Sequence, residues 1–143
     1  MLLVNRVMVN RFVLDTHIWI SIFHRNRTEL LIDALENLDI TIVSSDEQCK
    51  EILDVVSTPN LQGIVNKKPL DYVFYISTIS EIYESQKRFT LLTDYKDNYL
   101  ADLAWQSKSI LVSDDKHFAP LKKLKSPKIS LQNKIEFYKY IGW

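Results

Sequence analysis

The chain has 143 residues, 46% of them hydrophobic and 25% charged, which is the composition of a folded domain rather than of a disordered segment. The formal net charge is zero and there is one cysteine, so the sequence excludes an intrachain disulfide and disfavours a protein that coats nucleic acid by charge alone. No apolar run approaches the roughly 20 residues that cross a bilayer, and no signal peptide is apparent. We therefore expect one cytoplasmic domain over residues 1–143, with its core at about 11–141.

Strands and helices are predicted to alternate along the chain. The apolar pattern predicts strands at 12–14, 40–43, 88–92, 109–112 and 128–131. It predicts helices at 18–23, 29–38, 45–57, 70–83, 97–104 and 133–141, with Thr28 as a candidate N-cap. This alternation predicts a three-layer α/β/α fold around a central parallel sheet of four to five strands. With only two glycines, the chain has no glycine-rich phosphate loop.

Acidic residues follow three of the predicted strands. They are Asp15 after the first strand, Asp94 and Asp97 after the third, and Asp114 and Asp115 after the fourth. Because parallel strands bring their carboxyl ends to one edge, where such sheets bind ligands, we expect these acids to meet there. Glu51 lies two turns into the helix after the second strand and is expected to approach the same edge.

Clustered carboxylates repel one another unless a cation lies between them, so such a cluster predicts a metal site. Oxygen ligands suit Mg²⁺ or Mn²⁺, which promote phosphodiester hydrolysis. Each acid alone also has a structural explanation. Asp97 is a candidate N-cap, and Asp114 or Asp115 is a candidate cap for a short helix before Phe118.

Four blocks carry a likeness to a known family. They are residues 12–21 (FVLDTHIWIS), 43–56 (VSSDEQCKEILDVV), 93–104 (TDYKDNYLADLA) and 110–118 (ILVSDDKHF). Together they resemble the PIN-domain family, and within it the toxin components of type II toxin–antitoxin pairs (VapC-type). The likeness spans most of the chain, and its strength lies in the order of the blocks.

The resemblance implies a PIN-like fold and a metal-dependent endoribonuclease that hydrolyses RNA with Mg²⁺ or Mn²⁺. The implied catalytic residues and metal ligands are Asp15, Glu51, Asp97 and Asp115, and the implied supporting residues are Thr16, Ser113 and Asn98. It also implies a homodimer and a protein antitoxin that covers the active site.

Several alternatives stay open. Glu47 competes with Glu51, and Asp114 competes with Asp115. A receiver-like phosphoacceptor domain also has acids after parallel strands, but it calls for paired acids near the first strand, where Asp15 stands alone. A haloacid-dehalogenase-type phosphatase needs a second acid two residues after Asp15, where this sequence has His17. A catalytically inactive PIN fold that binds RNA or protein is the remaining alternative.

Overall fold

The computed structural model describes residues 10–62, 67–84, 95–123 and 128–143, with all of their side chains except those of residues 62 and 95–97. The strands are β1 (Arg11–Leu14), β2 (Thr41–Ser45), β3 (Ser80–Tyr83), β4 (Ile110–Val112) and β5 (Leu131–Gln132). The helices are α1 (Thr16–His24), α2 (Thr28–Leu38), α3 (Asp46–Val56), α4 (Pro59–Gln62), α5 (Pro69–Ile79), α6 (Tyr95–Gln106) and α7 (Lys134–Ile141), with a 3₁₀ helix at Lys116–Lys123.

The five strands form one parallel sheet in the order β3–β2–β1–β4–β5. Successive residues of β1 point to opposite faces, so Phe12 and Leu14 join one core cluster while Val13 joins the other. The first cluster contains buried residues of α1, α2, α3, α5 and α7, and the second those of α6 and the 3₁₀ helix. The fold is therefore the predicted α/β/α sandwich, with a parallel sheet buried on both faces.

The structure differs from the predicted helix at 70–83. Helix α5 ends at Ile79, and the next four residues form β3 in parallel register with β2. Ile76, Ile79, Ile82 and Tyr83 fit a helical period, but Ile82 and Tyr83 alone are too short a run to distinguish a helix from a strand. Pairing with the open edge of β2 makes residues 80–83 a strand. The predicted strand at 88–92 lies outside the described residues.

The other boundaries moved by a few residues. Thr28 was expected to be an N-cap but is the first residue of α2, and Arg27 stands at the cap without a capping side-chain hydrogen bond. The last helix begins after Asn133, whose side chain and that of Glu136 form a reciprocal capping box. In the part of the chain that the structure describes, no helix is long and apolar enough to cross a membrane.

A buried glutamine joins the first two strands to α3. Gln48 is fully buried, and its Nε2 donates to the Leu14 carbonyl oxygen at 2.5 Å. The Ser44 hydroxyl donates to Gln48 Oε1 at 2.6 Å, and the Gln48 backbone N donates to Ser45 Oγ at 3.1 Å. Helix α3 is thereby held against the carboxyl ends of β1 and β2.

We expect Gln48→Leu to lower the free energy of unfolding by about 2 to 3 kcal/mol, because it leaves the Leu14 carbonyl and the Ser44 hydroxyl buried without partners. Urea denaturation measures this loss. The exposed hydroxyl of Thr58 donates to the Val55 carbonyl, so Thr58→Ala is a control expected to cost well under about 1 kcal/mol. A Gln48→Leu variant as stable as the control would contradict the role of Gln48.

Candidate active site at the carboxyl edge of the sheet

Asp15 is a buried carboxylate at the end of the central strand. The register pairs Leu14 with Val112, so Asp15 lies beside Ser113. The Asp15 backbone N donates to the Val112 carbonyl at 2.9 Å, and the Ser113 hydroxyl donates to Asp15 Oδ2 at 2.7 Å. Ser113, directly after β4, therefore holds the carboxylate of Asp15, directly after β1.

Burial raises the pKa of Asp15 above its ordinary value, and the nearby Glu51 carboxylate raises it further. The Ser113 hydrogen bond, the nearby His17 and the Thr16 backbone lower the pKa but do not cancel the effect of burial. Asp15 is 5% exposed and forms no salt bridge with a described residue. The site thus holds a carboxylate whose charge lacks full compensation within the described chain.

Glu51 reaches the site from α3. The hydroxyl of Thr16, the residue after Asp15, donates to Glu51 Oε1. Ser45 caps α3 by accepting from the Gln48 backbone N, and Glu51 lies farther along that helix. Glu47, the alternative on the same helix, has no such bond to Thr16. The Thr16 hydroxyl therefore links the start of α1 to the Glu51 carboxylate.

Asp115 is joined to Asp15 through Ser113. The Asp115 backbone N donates to Ser113 Oγ at 3.0 Å, while that hydroxyl donates to Asp15. The Asp115 carboxylate accepts from the backbone N of His117, the second residue of the 3₁₀ helix, at 2.9 Å and so caps the first turn of that helix. Asp114 accepts from the Lys134 backbone N at 2.8 Å and so holds the start of α7. Of the two acids that the sequence offered as a cap for the short helix before Phe118, Asp115 is the one that caps it, while Asp114 holds α7.

A cavity of about 250 Å³ opens beside these carboxylates. Its lining includes Asp15, His17, Asp114, Asp115 and Lys134. It lies at the carboxyl edge of the sheet, where parallel α/β folds bind ligands. The strand ends therefore bring the first and fourth acidic blocks of the sequence to one cavity.

The third acidic block is described only in part. Asp97 lies in the first turn of α6, but its side chain is outside the described residues, as is all of Asp94. Asn98, the next residue, is 8% exposed. Among the described side chains, no three His, Cys, Asp or Glu residues converge closely enough to form a metal site on their own. Asp97 is not one of the side chains covered by that finding.

Tyr99 was not singled out by the sequence. It is 5% exposed, and its hydroxyl lies close to the Thr16 and Glu51 side chains without a well-formed hydrogen bond to a described residue. Burial, the charges of Glu51 and Asp15, and the Glu51 side chain raise its pKa, while Thr16 lowers it. A buried hydroxyl without a well-formed hydrogen bond costs free energy, and its position beside two carboxylates makes Tyr99 a candidate member of the site. No sequence pattern distinguished this tyrosine from a core aromatic residue.

We expect Asp15→Asn to stabilise the metal-free protein at neutral pH. Because its pKa is raised, folded Asp15 binds a proton more tightly than unfolded Asp15, so stability falls as pH rises through the folded pKa. Asparagine cannot ionise and avoids this loss. Melting in EDTA should give the variant a higher Tm than wild type at pH 7, and the gap should close below the ordinary pKa of 3.8.

The exposed Asp54→Asn corrects that comparison for the general loss of one negative charge. A wild-type protein that gains stability relative to Asp15→Asn as pH rises would contradict the unfavourable burial of this carboxylate.

We expect Tyr99→Phe to raise the free energy of unfolding by about 1 kcal/mol, because it removes a buried hydroxyl that has no well-formed hydrogen bond to a described residue. Tyr72→Phe is the matched control, since the equally buried Tyr72 hydroxyl accepts from the Lys67 backbone N at 3.1 Å. That variant should lose stability by a similar amount. Urea denaturation of both variants tests the contrast in sign, and two losses of equal size would refute it.

Comparison with known proteins agrees with this fold. Residues 11–117 match the family model described as PIN domain. No curated protein matches the chain in sequence. The crystal structure of VapBC2 from Rickettsia felis bound to a DNA fragment from their promoter has a chain with TM-score 0.60 and 18% identity, covering 86% of this chain and 98% of that one.

A second solved structure is similar in fold. The crystal structure of DNA-bound VapBC from Salmonella typhimurium gives a TM-score of 0.56 and 14% identity, covering 86% of this chain and 97% of that one. At such identities the likeness concerns the fold, which agrees with the five-stranded parallel sheet. The family match covers the acidic blocks from Asp15 to Asp115. The chain belongs to the PIN-domain family.

Proposed function

We propose that this protein is a metal-dependent endoribonuclease and the toxin of a toxin–antitoxin pair, with residues 1–143 as a single nuclease domain whose core is at about 11–141. The observation that carries the proposal is the buried Asp15 carboxylate at the end of the central strand. It is bonded to Ser113, lies near Glu51 and opens on the same cavity as Asp115. Membership of the PIN-domain family supports the same conclusion.

The donor set fits Mg²⁺ or Mn²⁺. The residues proposed as ligands, Asp15, Glu51, Asp97 and Asp115, offer only oxygen atoms, which hard divalent cations prefer. The raised pKa of Asp15 supports the assignment, and so does the buried Tyr99 hydroxyl, which has no well-formed hydrogen bond to a described residue. A bound cation and its waters would satisfy both groups. The chemistry that such an ion supplies is activation of water and neutralisation of charge on the phosphodiester.

The chain's own residues prepare the site. Ser113 orients Asp15 by donating to Oδ2, and Thr16 orients Glu51 in the same way. Such hydroxyls fix ligand geometry before the substrate arrives, and losing one typically costs about 10- to 100-fold in metal affinity or activity. Asn98 is proposed as a further support, since it is buried directly after Asp97 on α6. Lys134 adds a positive group at the cavity, and His17 adds an imidazole.

The proposed partners are an RNA substrate, a second copy of the chain and an antitoxin in the same cytoplasm. The likeness in fold to chains of two VapBC structures supports the antitoxin. Two large apolar side chains on one face of α5, Leu70 at 67% exposure and Phe74 at 74%, support a protein contact, because an isolated chain gains nothing by exposing them side by side. We assign that contact to the homodimer.

The proposal is tested by incubating the purified chain with a pool of structured and single-stranded RNAs in Mg²⁺, Mn²⁺ or EDTA. Wild type should cut in either metal and not in EDTA. Asp15→Asn and Asp97→Asn should lose about 100-fold or more, because each removes a proposed ligand, while Asp54→Asn should cut like wild type. Mn²⁺ at about 100 times its Kd should stabilise wild type by about 2.7 kcal/mol, and Asp15→Asn by much less.

Each outcome has a distinct meaning. Metal binding that depends on Asp15, without cleavage of any RNA in the pool, would favour the inactive PIN-fold binding module. Loss of folding in Asp97→Asn, detected by circular dichroism, would support a purely structural role for Asp97 at the start of α6. Cleavage that persists in both EDTA and Asp15→Asn would overturn the metal-dependent site.

A further inference from the structure

A second and larger cavity adjoins the acidic one. It measures about 380 Å³ and lies at the carboxyl ends of β4 and β5, between the 3₁₀ helix and the start of α7. Asp114 and Asp115 line both cavities, so the two spaces are neighbours. Its volume falls within the roughly 300 to 1,000 Å³ that small-molecule sites occupy. A ligand in this cavity would therefore lie next to anything bound at Asp15.

The carboxylates of this cavity are already bonded to the backbone. Each accepts a backbone N–H: Asp114 from Lys134 at 2.8 Å, Asp115 from His117 at 2.9 Å and Glu136 from Asn133 at 3.1 Å. These bonds hold the loop after β4 and the first turn of α7 in place. The acidic groups thus form the frame of the cavity, and their charges are partly offset by the N–H groups that they accept.

Other polar groups are left to meet a ligand. Gln132 Oε1 is buried and has no hydrogen-bond partner among the described residues. Lys116 and Lys122 line the cavity and form no ion pair with a described side chain. Phe118 and Leu131 supply apolar wall. These groups match the parts of a nucleotide. The amide oxygen can accept an N–H of the base, the two ammonium groups can contact phosphate, and the apolar wall can pack against the face of the base ring.

We propose that this cavity binds one nucleotide of a single-stranded RNA, the one next to the phosphodiester at Asp15. The base enters against Phe118 and Leu131 and donates an N–H to Gln132 Oε1, while Lys116 and Lys122 contact phosphate oxygens. The unpartnered amide explains how the site would favour some bases over others, since a buried acceptor is satisfied only by a base that presents a donor there. This inference rests on the proposed function, because it assumes an RNA strand at the acidic site.

The test measures RNA binding separately from cleavage. All variants are made on Asp15→Asn, and binding of fluorescent A₁₀, C₁₀ and U₁₀ is followed by anisotropy. Gln132→Met keeps the length of the side chain and removes the acceptor, so the tightest of the three RNAs should bind about tenfold more weakly. The three affinities should also become more similar to one another.

Gln106→Met is the matched control, because Gln106 Oε1 is likewise buried and has no partner among the described residues. Gln106 ends α6 shortly before β4 begins, and so lies toward the amino ends of the strands, away from the cavity. It should leave all three affinities within about twofold. Lys122→Ala should weaken the three RNAs equally and reduce the slope of log affinity against log salt by about 0.7. Its control, Lys139→Ala on the last turn of α7, should leave the slope unchanged.

The outcomes separate this inference from the proposed function. If Gln132→Met and Gln106→Met bind all RNAs alike while Lys122→Ala keeps the full salt slope, the nucleotide site is refuted, whether or not wild type cuts RNA. If binding depends on Gln132 and Lys122 but wild type cuts no RNA, the nucleotide site stands and the nuclease fails. A melting curve for each variant excludes unfolding as the cause, and Lys122, being exposed, tests the site even if Gln132→Met is unstable.

Discussion

The pairing of β1 with a parallel neighbour on each side is the constraint on which the site depends. Val13 is in register with Val43 of β2 and with Leu111 of β4. Because parallel ladders fix both direction and register, the residue after β1 must end beside the residue after β4. Asp15 and Ser113 are far apart in the sequence, and the pairing of β1 with β4 brings them together. The Thr16–Glu51 and Ser113–Asp115 contacts are built around that fixed point.

The site is assembled from polar groups that work against stability. Asp15 is buried with a raised pKa, and the buried Tyr99 hydroxyl has no well-formed hydrogen bond to a described residue. Neither choice helps a protein to fold, since burying a charge or an unpaired hydroxyl costs free energy. The two apolar clusters on either side of the sheet offset this cost. Functional sites typically concentrate such unfavourable polar groups in one place, and the rest of the fold stabilises them.

Sequence reasoning was accurate where the pattern was long and local. The alternation of apolar segments gave the fold class and four of the observed strands to within a few residues. The starts predicted for α3 and α7, at Ser45 and Asn133, are each one residue before the helix begins. It was wrong at Ser80–Tyr83, because a four-residue run has too few turns to separate a helical period from an alternating one. That strand is defined by its partner, since the exposed backbone edge of β2 supplies its hydrogen bonds.

The sequence by itself determined the family, through the resemblance of four blocks. It also determined the parallel α/β architecture and the acids that follow the first and fourth strands, because these depend on residue type and local periodicity. Only the tertiary structure decided which groups meet: Ser113 with Asp15, Thr16 with Glu51, and the Asp114 carboxylate with the first turn of α7. It alone revealed Tyr99 and Gln132, whose aromatic and amide side chains carry no signal in the sequence. Burial without a partner distinguishes them, and burial is a property of how distant segments pack together.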